Sequence, residues 1–382
     1  MKKFLLASFV TTAAVATANA GSISLDMRAD YLSQTYNSDA IAAGPSTVDN
    51  NKFYLQTGRV DFQGKLNDET SYRLRWRFAG KDQATLQKRD NTFQDVDYAF
   101  IANKLNDFMT LTIGKFGGDI GGFEGANSGA EMYFTSEAYN GTSYLGGFAA
   151  TAPKSLTGFT NLLYYSGAKL AFTFADQEIN IQGANVDTSN GRGASFATSG
   201  GDHTTTGVTT GKFDQNQALY AISYKGKFAD NWQVRASYHT MKTEPAVGLD
   251  GKIDYMAVGG QFQNESWLVQ LDYLMNTYKE TNAAETGTDT LSSIVATGKW
   301  MFHDNWTGIL KVAYSMEKFD DATSADNKYT SEGLAFEYKP KKDDMYRYHV
   351  AYNNRTMAPD QGSDRNLQEV IVGTRIMADF LK

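Results

Sequence analysis

The sequence predicts an all-β chain, a transmembrane antiparallel β-barrel of about 16 strands. Three observations point there. Two-faced segments recur along the chain, with apolar residues alternating against polar or charged ones at the strand period of two. The joints between them alternate between short polar turns and long polar loops. No segment beyond the N-terminus approaches the roughly 18–20 uncharged apolar residues that a spanning helix needs. The composition agrees: 22 Tyr, 23 Phe and 35 Gly with only 5 Pro, at a mean hydropathy of −0.44, suit long strands and tight turns better than helices.

In chain order, Lys2 and Lys3, the apolar run Phe4 to Ala16 and the small-residue site Ala18-Asn19-Ala20 read as a signal peptide over residues 1–20. A single barrel domain then covers 21–382, with no linker or change of pattern inside it. The first strand sets Ile23, Leu25, Met27, Ala29 and Tyr31 against Ser24, Asp26, Arg28 and Asp30. Phe53 to Gly64 repeats the pattern with Val60 and Phe62 opposite Arg59 and Asp61. After the turn Leu66 to Glu69, Tyr72 to Phe78 reads Tyr-Arg-Leu-Arg-Trp-Arg-Phe, placing Tyr72, Leu74, Trp76 and Phe78 opposite Arg73, Arg75 and Arg77. A soluble sandwich would need a second buried layer for such strands, but their opposite faces are charged; a barrel shows the aromatic face to lipid and the arginines to water. Further on, Val96, Tyr98 and Phe100 are expected outside, with Asp95 and Asp97 inside.

The later strands follow the same rule. Trp232, Val234, Ala236 and Tyr238 oppose Gln233, Arg235, Ser237 and His239, and Tyr348, Val350 and Tyr352 oppose Arg347, His349 and Asn353. Val370, Val372, Ile376 and Phe380 oppose Glu369, Arg375 and Asp379. Trp232, Trp267 and Trp306 each open a strand just after a turn, where an interfacial girdle belongs. Tight junctions are expected at Leu66–Glu69, Lys104–Asp107, Ser166–Gly167, Phe228–Asn231, Asn264–Glu265, His303–Asn305 and Pro340–Asp344, and the largest loops at Gly117 to Gly158 and Gln177 to Asp214. The strand total stands at sixteen, or fourteen to eighteen if the count of hairpins near Ser143 to Ala149 changes.

Charge and chemistry narrow the function. Without Lys2 and Lys3, 34 basic residues face 43 acidic ones, a charge near −9 that disfavours nucleic acid as a partner. The absence of cysteine excludes disulfides, thiol catalysis and thiolate metal sites. Four histidines, His203, His239, His303 and His349, stand without a nucleophile or paired acid, and no HExxH, GxSxG, P-loop or calcium loop occurs. The expectation is no enzyme, no cofactor and no metal site.

The stretch Asn161-Leu162-Leu163-Tyr164-Tyr165-Ser166-Gly167-Ala168-Lys169-Leu170-Ala171-Phe172 resembles the region after the third loop of general porins of Gram-negative outer membranes. Lys104-Leu105-Asn106-Asp107 with Leu111 to Phe116 is similar to the turn and fifth strand leading into that loop, and Phe228-Ala229-Asp230-Asn231-Trp232 to a periplasmic turn. The family usually ends on an aromatic residue, whereas Leu381 and Lys382 follow Phe380 here. The resemblance implies a trimeric, multi-pass outer-membrane channel for small hydrophilic solutes and ions, in contact with lipid and lipopolysaccharide. It also implies a long third loop folded into the lumen, whose acids face wall bases across the constriction. On this chain those residues are Asp119, Glu124 and Glu131, with Glu137 beyond them, against Arg28, Arg59, Arg73, Arg75 and Arg77. An alternative reading pairs Arg77 with Asp95 and Asp97, so that the arginines serve the wall. The acidic balance leans towards cation preference. Rival functions are a substrate-specific anion or sugar channel, with Arg59, Arg73, Arg75 and Arg77 as its track, and an outer-membrane hydrolase or adhesin.

Overall fold

The computed structural model describes residues 21–37, 49–80, 95–140, 163–185, 218–243, 250–281, 286–320, 326–341, 345–360 and 362–381. The expected signal peptide and the strand-like stretch Ser143 to Ala149 lie outside them.

Alternation is realised as sixteen strands: β1 (Ser22–Tyr36), β2 (Asp49–Lys65), β3 (Thr70–Gly80), β4 (Asp95–Asn106), β5 (Met109–Gly117), β6 (Tyr164–Phe174), β7 (Gln177–Asn185), β8 (Ala218–Ala229), β9 (Trp232–Thr243), β10 (Asp250–Gln263), β11 (Trp267–Thr281), β12 (Thr286–His303), β13 (Trp306–Lys318), β14 (Asn327–Tyr338), β15 (Tyr346–Pro359) and β16 (Arg365–Leu381). Each pairs antiparallel with its neighbours in sequence, and β1 pairs with β16, closing the barrel. Closure leaves no open edge, which is the condition for a sheet to cross a bilayer. The strands carry their apolar rows outward: Val258, Leu271, Ile294, Leu310, Val350 and Val372 are exposed, while Asn276, Ser293, Ser315, His349 and Asn353 on the opposite rows are buried.

Aromatic rings gather beside the short turns. Trp267 of β11 stacks on Trp300 of β12 with centroids 5.4 Å apart, Trp306 packs on Tyr338 at 4.7 Å, and Trp232 on Phe262 at 5.2 Å. Amphipathic rings at the end of an apolar band are the usual marker of a membrane interface.

Three local expectations are corrected. Ser166–Gly167 is not a turn: β6 runs through it, and the chain turns at Ala175, with φ 49°. A Cβ at Gly167 would overlap the Gly183 carbonyl oxygen and the Ala184 side chain, so this glycine serves close strand approach rather than reversal. Gln177 to Asn185 is not loop but β7, whose outward row is little more than Ile179 and Ile181. Finally, β4 carries a bulge at Asp97: Arg75 faces Tyr98 and Trp76 faces Val96, so Asp97 is the extra residue. Past the bulge the alternation is reversed. Phe100 packs against the inner cluster and Ile101 is exposed, the opposite of the period-two expectation.

Between β5 and β6 the described chain forms a short helix α1 (Gly122–Ala126), a single 3₁₀ turn at Gly129–Glu131 and a short helix α2 (Glu137–Asn140). Ile120, Phe134, Ala138 and Tyr139 of this segment are buried with Tyr255, Leu274, Leu291 and Val295 from the strands.

Candidate functional site

The bulge at Asp97 organises the early wall. Asp97 is fully buried, and three guanidiniums converge on it: Arg77 at 3.0 Å, Arg75 at 3.2 Å and Arg59 at 3.5 Å. Arg59 and Arg77 are register partners on β2 and β3, brought level by a shift at Gly58/Arg59. Asp97 thus holds three cations, and Arg59 also comes within 4.0 Å of Asp26, the carboxylate that Arg375 meets at 2.8 Å. The Nε atoms of Arg59 and Arg75 are buried without a hydrogen-bond acceptor.

Aromatic rings brace the same group. Arg75 lies 4.1 Å and Arg73 4.3 Å from the Tyr98 ring centre, and Nη2 of Arg75 donates to the Tyr164 hydroxyl at 2.6 Å. A guanidinium stacked on a ring keeps its charge while its orientation is fixed. Arg73 itself donates a fork to Asp61, through Nε at 3.0 Å and Nη2 at 2.5 Å.

Arg28 has a different task. It is paired with Asp30 at 2.9 Å and donates Nη1 to the carbonyls of Ala130 at 3.0 Å and Met132 at 2.9 Å. Asp30 also meets Nε2 of His349 at 2.9 Å. Arg28 therefore ties the 130–132 turn to β1.

The segment from Gly118 to Asn140 is bonded on many sides. Asp272 of β11 accepts from the first amides of α1, Phe123 N at 2.8 Å and Glu124 N at 2.9 Å, satisfying two donors that a helix start leaves open. Gly122, at φ 62°, lies so near this carboxylate that a Cβ would overlap its Oδ1. Two consecutive residues then reach opposite parts of the sheet: Asn127 donates to Gln270 of β11 at 3.3 Å, and Ser128 accepts from Arg59 of β2 at 3.1 Å. Tyr133 donates to Glu337 of β14 at 2.8 Å, and Ala138 N donates to Ser293 of β12 at 3.0 Å.

None of the segment's acids is ion-paired with the five early-strand arginines. Asp119, at φ 48°, meets Lys169 of β6 at 3.4 Å. Glu124 is buried against Lys311 of β13 at 2.6 Å and accepts from Ser136 through N and Oγ. Glu131 meets Arg375 of β16 at 3.1 Å, and Arg375 is forked to Asp26. Burial works against ionisation of Glu131, but the charges of Lys299, Arg375 and Arg347 outweigh it and hold the carboxyl below the ordinary glutamate value. Glu137 is wholly enclosed, accepts from Ser315 Oγ at 3.0 Å, and is pushed up by burial.

Lys169, Lys311, Arg375 and Asp272 were missed as site residues. Alternation placed Arg375 on the inner face, yet nothing local in the sequence marks which acid each base meets. Lys311 and Glu124 are 187 residues apart.

The model of the family described as phosphate-selective porin O and P matches residues 31–380. No curated protein sequence matches the chain. Among solved structures, the chain is similar to the anion-selective porin from Comamonas acidovorans, at TM-score 0.64 and 9% identity, over 94% of this chain and all of that one. It is likewise similar to the outer membrane channel DcaP of Acinetobacter baumannii, at TM-score 0.62 and 13% identity over 95% and 98% of the two chains. The trimer form of OmpT, an outer membrane protein of Vibrio cholerae, aligns at TM-score 0.58 and 14% identity over 94% and 100%. At such identities these likenesses speak for the fold, whereas the family match covers most of the chain. Closed sixteen-stranded barrel, aromatic ends and family match together place this chain in the phosphate-selective porin O and P family of outer-membrane channels.

Proposed function

We propose that this protein is a water-filled diffusion channel for small hydrophilic solutes that prefers anions, with the 118–140 segment as its constriction. The observation that carries the sign is the gathering of Arg59, Arg75 and Arg77 on one carboxylate. The acidic segment does not cancel it, because Asp119, Glu124 and Glu131 each have a base of their own elsewhere on the wall. Net charge suggests cations, but that total sums the whole chain, whereas selectivity depends on charge fixed beside the pore. The family's description as phosphate-selective supports the same sign. The bonds of Asn127 and Ser128 to opposite parts of the sheet support the placing of the constriction. Assembly as a homotrimer, contact with lipopolysaccharide and export by a cleaved signal peptide belong to the same reading.

Planar-bilayer recording under a potassium chloride gradient tests it. The reversal potential is expected on the chloride side, and Arg75→Gln is expected to move it towards the potassium side while conductance steps persist. A cation-selective wild type, or an unmoved reversal potential in Arg75→Gln, would overturn the assignment. Phosphate added to the chloride solution is expected to reduce the current saturably; a linear response would leave a general anion pore.

A further inference from the structure

A second polar site lies on β7, β8 and β9, away from the Asp97 cluster. Glu178, Lys225 and Arg235 form one cross-strand row, and Asn180, Ser223 and Ser237 form the next, two residues along on the same face. Lys225 is directly opposite Arg235. Like charges in that position repel unless something answers them. Glu178 answers Lys225 at 2.8 Å. Among the described residues no carboxylate lies within ion-pair distance of Arg235, and the Phe123 ring of α1 lies 5.6 Å from its guanidinium carbon.

The second row carries the other half of the argument. Asn180 is 1% exposed, and its amide nitrogen faces Asp119 at 3.3 Å, Glu178 at 2.8 Å and Ser223 at 3.3 Å. Those acceptors fix which end of the amide is nitrogen, so Oδ1 is the end left over, and it has no partner. Ser237 is 7% exposed, and its hydroxyl is also unpartnered. Buried polar atoms without partners are costly, and such a group needs a reason. Asn180, Ser223, Lys225, Arg235 and Ser237 line one shallow recess, with enclosed room for about one water or hydroxyl, beside Asp119 and Gly122 at the root of the 118–140 segment.

Arg235 and Lys225 only donate, Asn180 Oδ1 only accepts, and Ser237 does either. A halide would answer the cations and leave the amide oxygen unsatisfied; a neutral sugar would do the reverse. We propose that the β7–β9 recess is a second solute station, selective for anions that carry hydroxyl groups, such as hydroxycarboxylates and sugar acids. The carboxylate sits on Arg235 and Lys225, and a hydroxyl donates to Asn180 Oδ1 beside Ser237. This rests on the channel reading above, and adds a substrate class and a place.

The test uses full-length folded protein in planar bilayers with chloride as the carrier and gluconate as the probe; hexanoate supplies charge without hydroxyls, and glucose hydroxyls without charge. Gluconate is expected to block chloride current saturably, at a concentration at least tenfold below either control. Arg235→Gln is expected to raise the half-blocking concentration at least tenfold and Ser237→Ala about threefold. Should Arg235→Gln fail to insert, Arg235→Lys and Ser237→Ala carry the test. Gluconate is also expected to raise the urea midpoint of the wild type more than that of Ser237→Ala at the same concentration. Equal block by hexanoate or glucose, or an unchanged half-blocking concentration in the Arg235 variants, would overturn the station. Conductance steps with no gluconate block defeat this inference alone; a wild type without steps defeats the channel reading beneath it.

Discussion

At the scale of the residue, Glu131 and Glu137 show how one short segment shifts two carboxylates in opposite directions. Glu131 stands beside bases and is held below its usual value, so its contribution to stability is present above the ordinary glutamate range and lost as pH falls through the lowered value. Glu137 is raised by burial, with one serine hydroxyl against it. The fold therefore favours its protonated form. Its penalty is absent below the ordinary glutamate pKa of about 4.3 and grows as pH rises through the raised value. Replacing Glu137 with Gln keeps an acceptor for Ser315 and removes the charge. The urea midpoint of Glu137→Gln, followed by tryptophan fluorescence, is expected to exceed that of wild type at pH 7.5, by on the order of 1–3 kcal/mol, the usual penalty of an imperfectly partnered buried group. The gap should close at pH 4. Glu131→Gln should show the reverse, a loss at pH 7.5 that narrows in acid; equal effects at both pH values would mean that neither charge matters to the fold.

At the scale of the element, most strands were legible because period two needs only one face to be apolar, and lipid demands that of every strand. The failures have local causes. A bulge adds one residue and reverses every face beyond it, so Tyr98 and Phe100 were assigned to lipid although the bulge turns this part of β4 inward. Gly167 carries the composition of a turn but occupies a strand, because glycine serves both reversal and close approach. The pair Gly167 and Gly183 separates these roles. A Cβ at Gly167 meets the Gly183 carbonyl and Ala184, whereas one at Gly183 meets nothing within 4 Å. Gly167→Ala is expected to destabilise the folded barrel by roughly 1–3 kcal/mol through overpacking, and Gly183→Ala to stay within about 0.5 kcal/mol. Urea unfolding in lipid vesicles checks both, and equal costs would restore the turn reading of Gly167.

At the scale of the whole molecule, the sequence carried the barrel but only part of its interior. Arginines and loop acids were visible as types; their pairing was not, because Arg375 and Glu131 are 244 residues apart and are brought within 3.1 Å only by closure of the sheet. Outside, no such long-range information is needed, since bilayer depth alone sets what each position tolerates. Leu271, exposed on β11, lies four residues from Trp267, a rise of about 14 Å that a tilt of about 40° reduces to roughly 10 Å. That places it near the middle of an apolar band about 25 Å tall. Leu66 is equally exposed but sits in the turn between β2 and β3, outside the band. Arginine at Leu271 is expected to cost about 2–4 kcal/mol of folding free energy in vesicles, and arginine at Leu66 about 0–1 kcal/mol. The fraction folded, read from gel mobility across a urea series, distinguishes the two. Similar midpoints for Leu271→Arg and Leu66→Arg would mean that the exposed face of β11 does not meet hydrocarbon, and the outward apolar rows would then need a protein partner rather than lipid to cover them.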